Sequence, residues 1–195
     1  DAYVEKECAE KLVMIQNRRP EYGIVSPLHL RGDGSKLDSR FALFVGSSHD
    51  SNNFLTDYLV KKTAKEIYQV AFINAALWML SRRCVEAIGL FNPSFYHYGE
   101  DEDYAYRVNY HNLKIGIAPD VFGIHDRPQS QAELSTKKEL QLNRADLIRR
   151  LSRVDYAVSH NLKSAGFAWL AMSVCKNRNI FVRMLAKIGI GIYVI

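Results

Sequence analysis

The stretch that most constrains this chain is a run of four carboxylates, Glu100-Asp101-Glu102-Asp103, set behind Gly99 and the aromatic run Phe95-Tyr96-His97-Tyr98. Gly99 suits a sharp backbone turn. From Glu100 to about Tyr110 the residues predict a helix, with Ala105 and Val108 on the face that Asp101 shares. The acids then fill its first turn, where the helix dipole favours negative charge. Two readings stand side by side. In one, the carboxylates complement the dipole of a solvated helix start. In the other, at least one sits in a cleft as a general base or helps hold a divalent cation, and a base must lie within hydrogen-bond reach of the proton it takes.

The rest of the chain reads as alternating helices and strands. Glu5 to Asn17 has a helical pattern with Val4, Cys8, Leu12 and Ile15 on one face, closed by Arg18-Arg19-Pro20. Gly23 to Leu28 predicts a strand and Arg31 to Ser35 a turn. Phe41 to Val45 is compatible with a strand, 46–53 is loop, and Phe54 to Lys65 suits a short helix. His49 and Asp50 read as a polar loop tip. Ile67 to Leu80 predicts a buried strand bent at Asn74-Ala75-Ala76. Arg82 to Gly89 predicts a short helix closed by glycine, its two arginines facing either a phosphate or solvent. Lys114 to Pro119 and Val121 to Ile124 predict two strands, the second delivering His125. Flat aromatic faces bind sugars, and Tyr and His edges hydrogen-bond hydroxyls, so His97 and Tyr98 are candidates for a sugar-binding site.

Ala75-Ala76-Leu77-Trp78-Met79-Leu80-Ser81-Arg82-Arg83, then Gly89-Leu90-Phe91-Asn92-Pro93, then Tyr98-Gly99-Glu100-Asp101-Glu102-Asp103, then His125 resembles the second half of an inverting family-2 glycosyltransferase. The likeness is to rhamnosyl-, galactosyl- and galactofuranosyl-transferases of bacterial surface polysaccharides, and covers roughly residues 1–130. It implies an α/β fold: an incomplete GT-A (nucleotide-diphospho-sugar transferase) domain lacking its N-terminal half, followed by a helical tail. It implies Asp101 as the catalytic base, with Glu100 orienting it, and His125 as a metal ligand. By the family's register Asp1 is the last acid of an earlier metal motif; read alone, it is a frayed terminal residue. The implied cofactor is Mn²⁺ or Mg²⁺ bridging a diphosphate. Asn74 and Ala75 would let the donor sugar approach the backbone, Trp78 would stack on a sugar face or serve the core, and Asp103 would contact substrate or stand in as base. The donor is a nucleotide-diphospho-sugar and the acceptor a saccharide or lipid-linked sugar. A piece lacking the first strands would expose a sheet edge and have little activity alone, held together by self-association into a homo-oligomer.

Charge separates the tail from the rest. The formal net charge is +5. Residues 131–195 hold 11 Lys and Arg against 4 Asp and Glu, a net +7, whereas residues 1–130 hold 15 against 17, a net −2. A nucleic-acid partner for the whole chain is therefore disfavoured, and the domains are drawn at 1–130 and 131–195. Three dispersed cysteines, Cys8, Cys84 and Cys175, suit a reducing, cytoplasmic compartment, and nothing at the start resembles a signal peptide. In the tail, Leu147, Ile148, Leu151, Val154, Val158 and Leu162 recur at helical spacing among basic residues. Its apolar runs fall short of the ~20 residues that span a bilayer. They suit a helix lying on an anionic inner membrane surface, or one packed on protein. Two other function classes compete with sugar transfer: metal-dependent phosphoester hydrolysis, and a non-enzymatic membrane-docking or assembly module.

Overall fold

A computed structural model of the chain describes residues 2–47, 52–62, 65–126 and 136–176. The order of elements is β1 (Ala2–Val4), α1 (Cys8–Arg18), β2 (Tyr22–Arg31), α2 (Ser39–Ser47), α3 (Asn52–Leu59), β3 (Tyr68–Val70), β4 (Met79–Leu80), α4 (Arg82–Ile88), α5 (Glu100–Tyr110), β5 (Lys114–His125), α6 (Thr136–Leu151) and α7 (Val158–Lys176). It is a mixed α/β chain that divides into two compact units, Asp1–Leu90 with Tyr104–Gln131, and Phe91–Asp103 with Ala132–Ile195. Helix α5 gives its first turn to the second unit and its remainder to the first.

In the first unit the sheet runs β1-β5-β2-β4, with β3 also on β5. Strands β2 and β5 are parallel, and every other pairing is antiparallel. The central strand pair is covered on both faces, which explains why Ile24 and Val25, consecutive and pointing opposite ways, are both fully buried. Ile24 joins Phe41, Val45, Tyr68, Val70, Ile73, Tyr104, Val108, Ile115 and Ile117 in one core layer. Val25 joins Cys8, Leu12, Ile15, Tyr22, Ile67, Ala118 and Val121 in the other. Cys8, Leu12 and Ile15 are the apolar face expected of the first helix, while Val4 lies outside it, exposed in β1.

Three local expectations are revised. Phe41 to Val45 belongs to α2 rather than to a strand. Asp38 supplies a start signal there: its Oδ1 accepts from the N–H groups of Arg40 and Phe41, both at 2.9 Å, so a run that also suits a strand is captured by a capped helix. Ile67 to Leu80 is not one bent strand but two short ones, β3 and β4, separated by the Asn74-Ala75-Ala76 region. The two strands expected around Pro119 form a single strand, β5. Its pairing with β2 jumps from Pro27↔Ala118 to Leu28↔Phe122, and this irregularity absorbs the proline, which cannot donate to the ladder.

Helix α4 starts on Ser81, whose Oγ accepts from Cys84 N–H at 3.0 Å, and stops at Gly89, φ +80°. The carbonyls beyond it are not left bare. Gly89 O accepts from the Tyr104 hydroxyl at 3.0 Å, and Arg107 donates to Ile88 O at 2.9 Å and Leu90 O at 3.1 Å.

The second unit is built on α6 and α7. The helical periodicity read across 147–162 is interrupted at 152–157, where Asn161 Nδ2 donates to Arg153 O at 2.6 Å and Leu151 O at 3.4 Å and seals the end of α6. Arg150 on α6 donates to Ser164 Oγ on α7 at 3.0 Å. Helix α7 buries Asn161, Ala165 and Ala168 and exposes Leu162, Phe167 and Trp169. Among the described residues no helix is long and apolar enough to cross a membrane.

Candidate functional site

The carboxyl ends of parallel strands are where ligands bind in open α/β sheets. In the first unit β2 and β5 end together, Arg31 paired with His125. Buried polar side chains collect there: Ser26, His29, Asp38, Asn74 and His125 are each at most 7% exposed. In an unbroken strand, residues three apart face opposite sides. The shift in β2–β5 pairing falls between Ser26 and His29, and the two side chains meet, Oγ to Nε2 at 2.9 Å.

A consistent set of protons runs through this cluster. The Ser26 hydroxyl donates to Leu77 O at 3.1 Å, with Pro27 O at 3.0 Å as its alternative. Oγ then accepts from His29 Nε2–H, and His29 Nδ1 accepts from Asn74 Nδ2 at 3.5 Å. The amide orientation follows from that network. It leaves Asn74 Oδ1 buried with no hydrogen-bond partner among the described residues, a state that costs about 1–3 kcal/mol unless a donor arrives. The backbone continues the connection, since Asp38 N–H donates to His29 O at 2.8 Å. Asp38 Oδ2 then lies 3.3 Å from His125 Nδ1.

Of the residues expected from sequence, Asn74, Ala75, Trp78 and His125 lie in this unit. Ala75 is half-buried, and Trp78 is partly buried against the core, its ring 6.2 Å from that of Tyr104. Arg82 and Arg83 are exposed at the start of α4. Asp1 lies outside the described residues, as do His49 and Asp50. Cys8 and Cys84 are buried with free thiols, and burial pushes both thiols up from their ordinary range. Neither is an activated nucleophile. Cys84 instead sits 3.8 Å from the Tyr104 hydroxyl, itself pushed up by burial.

His97, Tyr98, Glu100, Asp101 and Asp103 belong to the second unit. Tyr98 and Gly99 both have left-handed backbone, φ +70° and +91°, and Gly99 O accepts the first bond of α5, from Asp103 N–H at 3.0 Å. For a tyrosine such a conformation costs of order 1–3 kcal/mol and is found where the surroundings dictate it. None of the four acids is fully exposed. Glu100 Oε2 is buried with no hydrogen-bond partner among the described residues, and Asp103 is 2% exposed. Glu102 pairs with Arg149 of α6, while half-buried Asp101 accepts from Glu102 N–H at 2.9 Å. A solvated row of dipole complements does not describe them. The aromatic run stands by them: His97 stacks at 4.0 Å on Tyr98, and Lys138 lies 5.9 Å above the Tyr98 ring. Phe95, Tyr96 and His97 line a small cavity of about 90 Å³ with Gln141, Arg144, Ala145 and Ile148. That is well below the roughly 300–1,000 Å³ of small-ligand pockets.

Among the described residues no group of three or more His, Cys, Asp or Glu side chains is placed to hold a metal ion. His125 and Asp38, 3.3 Å apart from Nδ1 to Oδ2, are two such side chains. Three members of the buried cluster, Ser26, His29 and Asp38, escape a reading of the sequence. Ser26 and His29 look like the fading end of a strand. Asp38 carried a usable signal, a helix-start aspartate three residues before Phe41.

No family model matches the chain. Over 143 residues, 73% of its length, it is 26% identical to a low-salt glycan biosynthesis hexosyltransferase of Haloferax volcanii. The chain spans about 45% of that relative's length.

Proposed function

We propose that this chain is the C-terminal part of a GT-A domain in an inverting, family-2 glycosyltransferase of glycan or surface-polysaccharide synthesis. The observation that carries the reading is the likeness to a hexosyltransferase over 143 residues, a span that exceeds any single motif. It is supported by the position of the Gly99-Glu100-Asp101 turn at a helix start and by the buried polar cluster ending the parallel strands. The donor is a nucleotide-diphospho-sugar, the acceptor a saccharide or lipid-linked sugar.

Asp101 takes the proton of the acceptor hydroxyl. Glu100 orients Asp101 or the acceptor, Asp103 is the alternative base, and His97 and Tyr98 offer ring faces and edges to the acceptor. Asn74 Oδ1 receives a hydroxyl of the donor sugar, which satisfies an atom that is buried without a partner among the described residues. Ala75 gives the sugar room, and Trp78 flanks it. His125 and Asp1 would hold a divalent cation, which when bound supplies positive charge toward the departing diphosphate. The basic tail and the exposed Leu162, Phe167 and Trp169 support a peripheral seat on the cytoplasmic face of a membrane, near a lipid-linked acceptor. Homo-oligomerisation remains part of the proposal.

The test is Asp101→Asn in the full-length enzyme, read as acceptor-dependent release of nucleoside diphosphate. A fall of about 10²–10⁴-fold is expected. Transfer at near the parental rate would remove Asp101 as the base. Cleavage of plain phosphoesters would point to the hydrolase class instead.

A further inference from the structure

We propose that the cavity between the aromatic run and α6 is an oxyanion subsite, which seats a carboxylate or phosphate group of the acceptor on Arg144; this rests on the reading of His97 and Tyr98 as the acceptor side of a sugar-transfer site. The cavity is lined by Phe95, Tyr96 and His97 from the aromatic run and by Gln141, Arg144 and Ile148 from α6. Its volume of about 90 Å³ is too small for a whole saccharide. It has room for several waters, or for one charged substituent that displaces them.

Charge selects that substituent. Of the three arginines on α6, Arg149 pairs with Glu102 and Asp146, and Arg150 with Asp146. Arg144 is exposed and has no ion pair among the described residues. No described carboxylate lines the cavity with it. A guanidinium brings five N–H donors and no acceptor, and its fork meets a carboxylate or phosphate with two parallel bonds. Gln141 and His97 offer an amide NH₂ and a ring N–H in the same lining. The complement of so many donors is a group made only of acceptors, an oxyanion.

Position ties the cavity to the acceptor. A Cβ built on Gly99 would lie 3.0 Å from the Phe95 ring and 3.6 Å from Ala145 Cβ. The turn that leads into Glu100 and Asp101 therefore packs on two residues of the cavity's lining. Phe95 and Ala145 are buried there, whereas Tyr96 is 83% exposed and gives the rest of the acceptor a flat face beside the cavity.

The experiment titrates the ¹⁵N-labelled full chain with two acids and their neutral counterparts. Methyl glucuronide against methyl glucoside tests a sugar carboxylate, and geranyl phosphate against geraniol tests a lipid phosphate. Shifts of the Gln141 side-chain amide and of Arg144 Nε–H report on the cavity itself. At least one acid is expected to bind about 10-fold more tightly than its neutral counterpart, with shifts at both residues. The pair that shows this preference identifies the source of the group. Arg144→Gln is expected to abolish the preference and Arg144→Lys to keep part of it, since a point charge lacks the fork. Lys163→Gln, which removes a charge from α7, is expected to leave it intact, with melting temperatures showing all variants folded. No preference for either acid overturns the proposal, as does a preference that Arg144→Gln leaves unchanged or that Lys163→Gln removes equally. In the full-length enzyme Arg144→Gln is expected to raise KM for the acidic acceptor about 10-fold. Transfer that ignores Arg144→Gln sinks the subsite and leaves the sugar-transfer reading. Oxyanion binding at Arg144 with no transfer by the full-length enzyme keeps the subsite and sinks that reading instead.

Discussion

At residue 99 the backbone decides the identity of the side chain. Gly99 has φ +91°, and a Cβ built there would lie 3.0 Å and 3.3 Å from two carbons of the Phe95 ring. Gly99→Ala therefore combines left-handed strain with a forced shift of Phe95. We expect a loss of about 1–3 kcal/mol, read by denaturant unfolding; unchanged stability would mean that the turn has another conformation. The glycine was legible in the sequence as a turn. Tyr98, beside it with φ +70°, was not, because a tyrosine announces aromatic chemistry and says nothing about left-handed backbone. Asn74 shows the same limit. Its place at a bend could be read from its neighbours, whereas its unsatisfied Oδ1 depends on His29, 45 residues earlier in the chain.

At the scale of elements, α6 and the first turn of α5 are joined by charge. Arg149 pairs with both Glu102 and Asp146, and Asp146 also takes Arg150 Nε at 2.8 Å. Burial alone would raise the Asp146 carboxyl, but the Arg150 and Arg149 guanidiniums outweigh it and hold it below its ordinary range. A depressed folded-state value means that this stabilisation is present above the usual carboxylate pKa of about 3.9 and is lost as pH falls through the folded value. Asp146→Asn is expected to cost about 1 kcal/mol near neutral pH. The gap from the parent should close as the pH drops from about 5 to about 2. A gap that stays constant with pH would assign the cost to packing instead. Helix α5 itself, Glu100–Tyr110, is where the pattern of residues placed it, and α4 ends at its glycine as expected. Helix α2 was read otherwise because Phe41 to Val45 is apolar enough for either element, and the cap from Asp38 is a side-chain contact that propensity does not weigh.

At the scale of the molecule, stability should be uneven. Strands β2 and β5 carry fully buried Ile24, Val25, Ile115 and Ile117, whereas the described side chains that α7 buries are Asn161, Ala165 and Ala168. Amide hydrogen exchange is therefore expected to be slowest in β2 and β5 and orders of magnitude faster along α7. Equal protection in the two would contradict the distribution of buried area. The sequence by itself determined the local matters: the α5 helix and its acids, the glycine stops, the apolar face of α1, and the division of charge between 1–130 and 131–195. These depend on neighbours within a turn or two, where spacing and propensity act directly. Only the tertiary structure decided that Ser26, His29 and Asn74 share a proton chain and that Asp38 lies beside His125. It also decided that residues 91–103 join the tail's unit. Those arrangements depend on strand register and on buried groups that must find partners across dozens of residues, because water no longer reaches them.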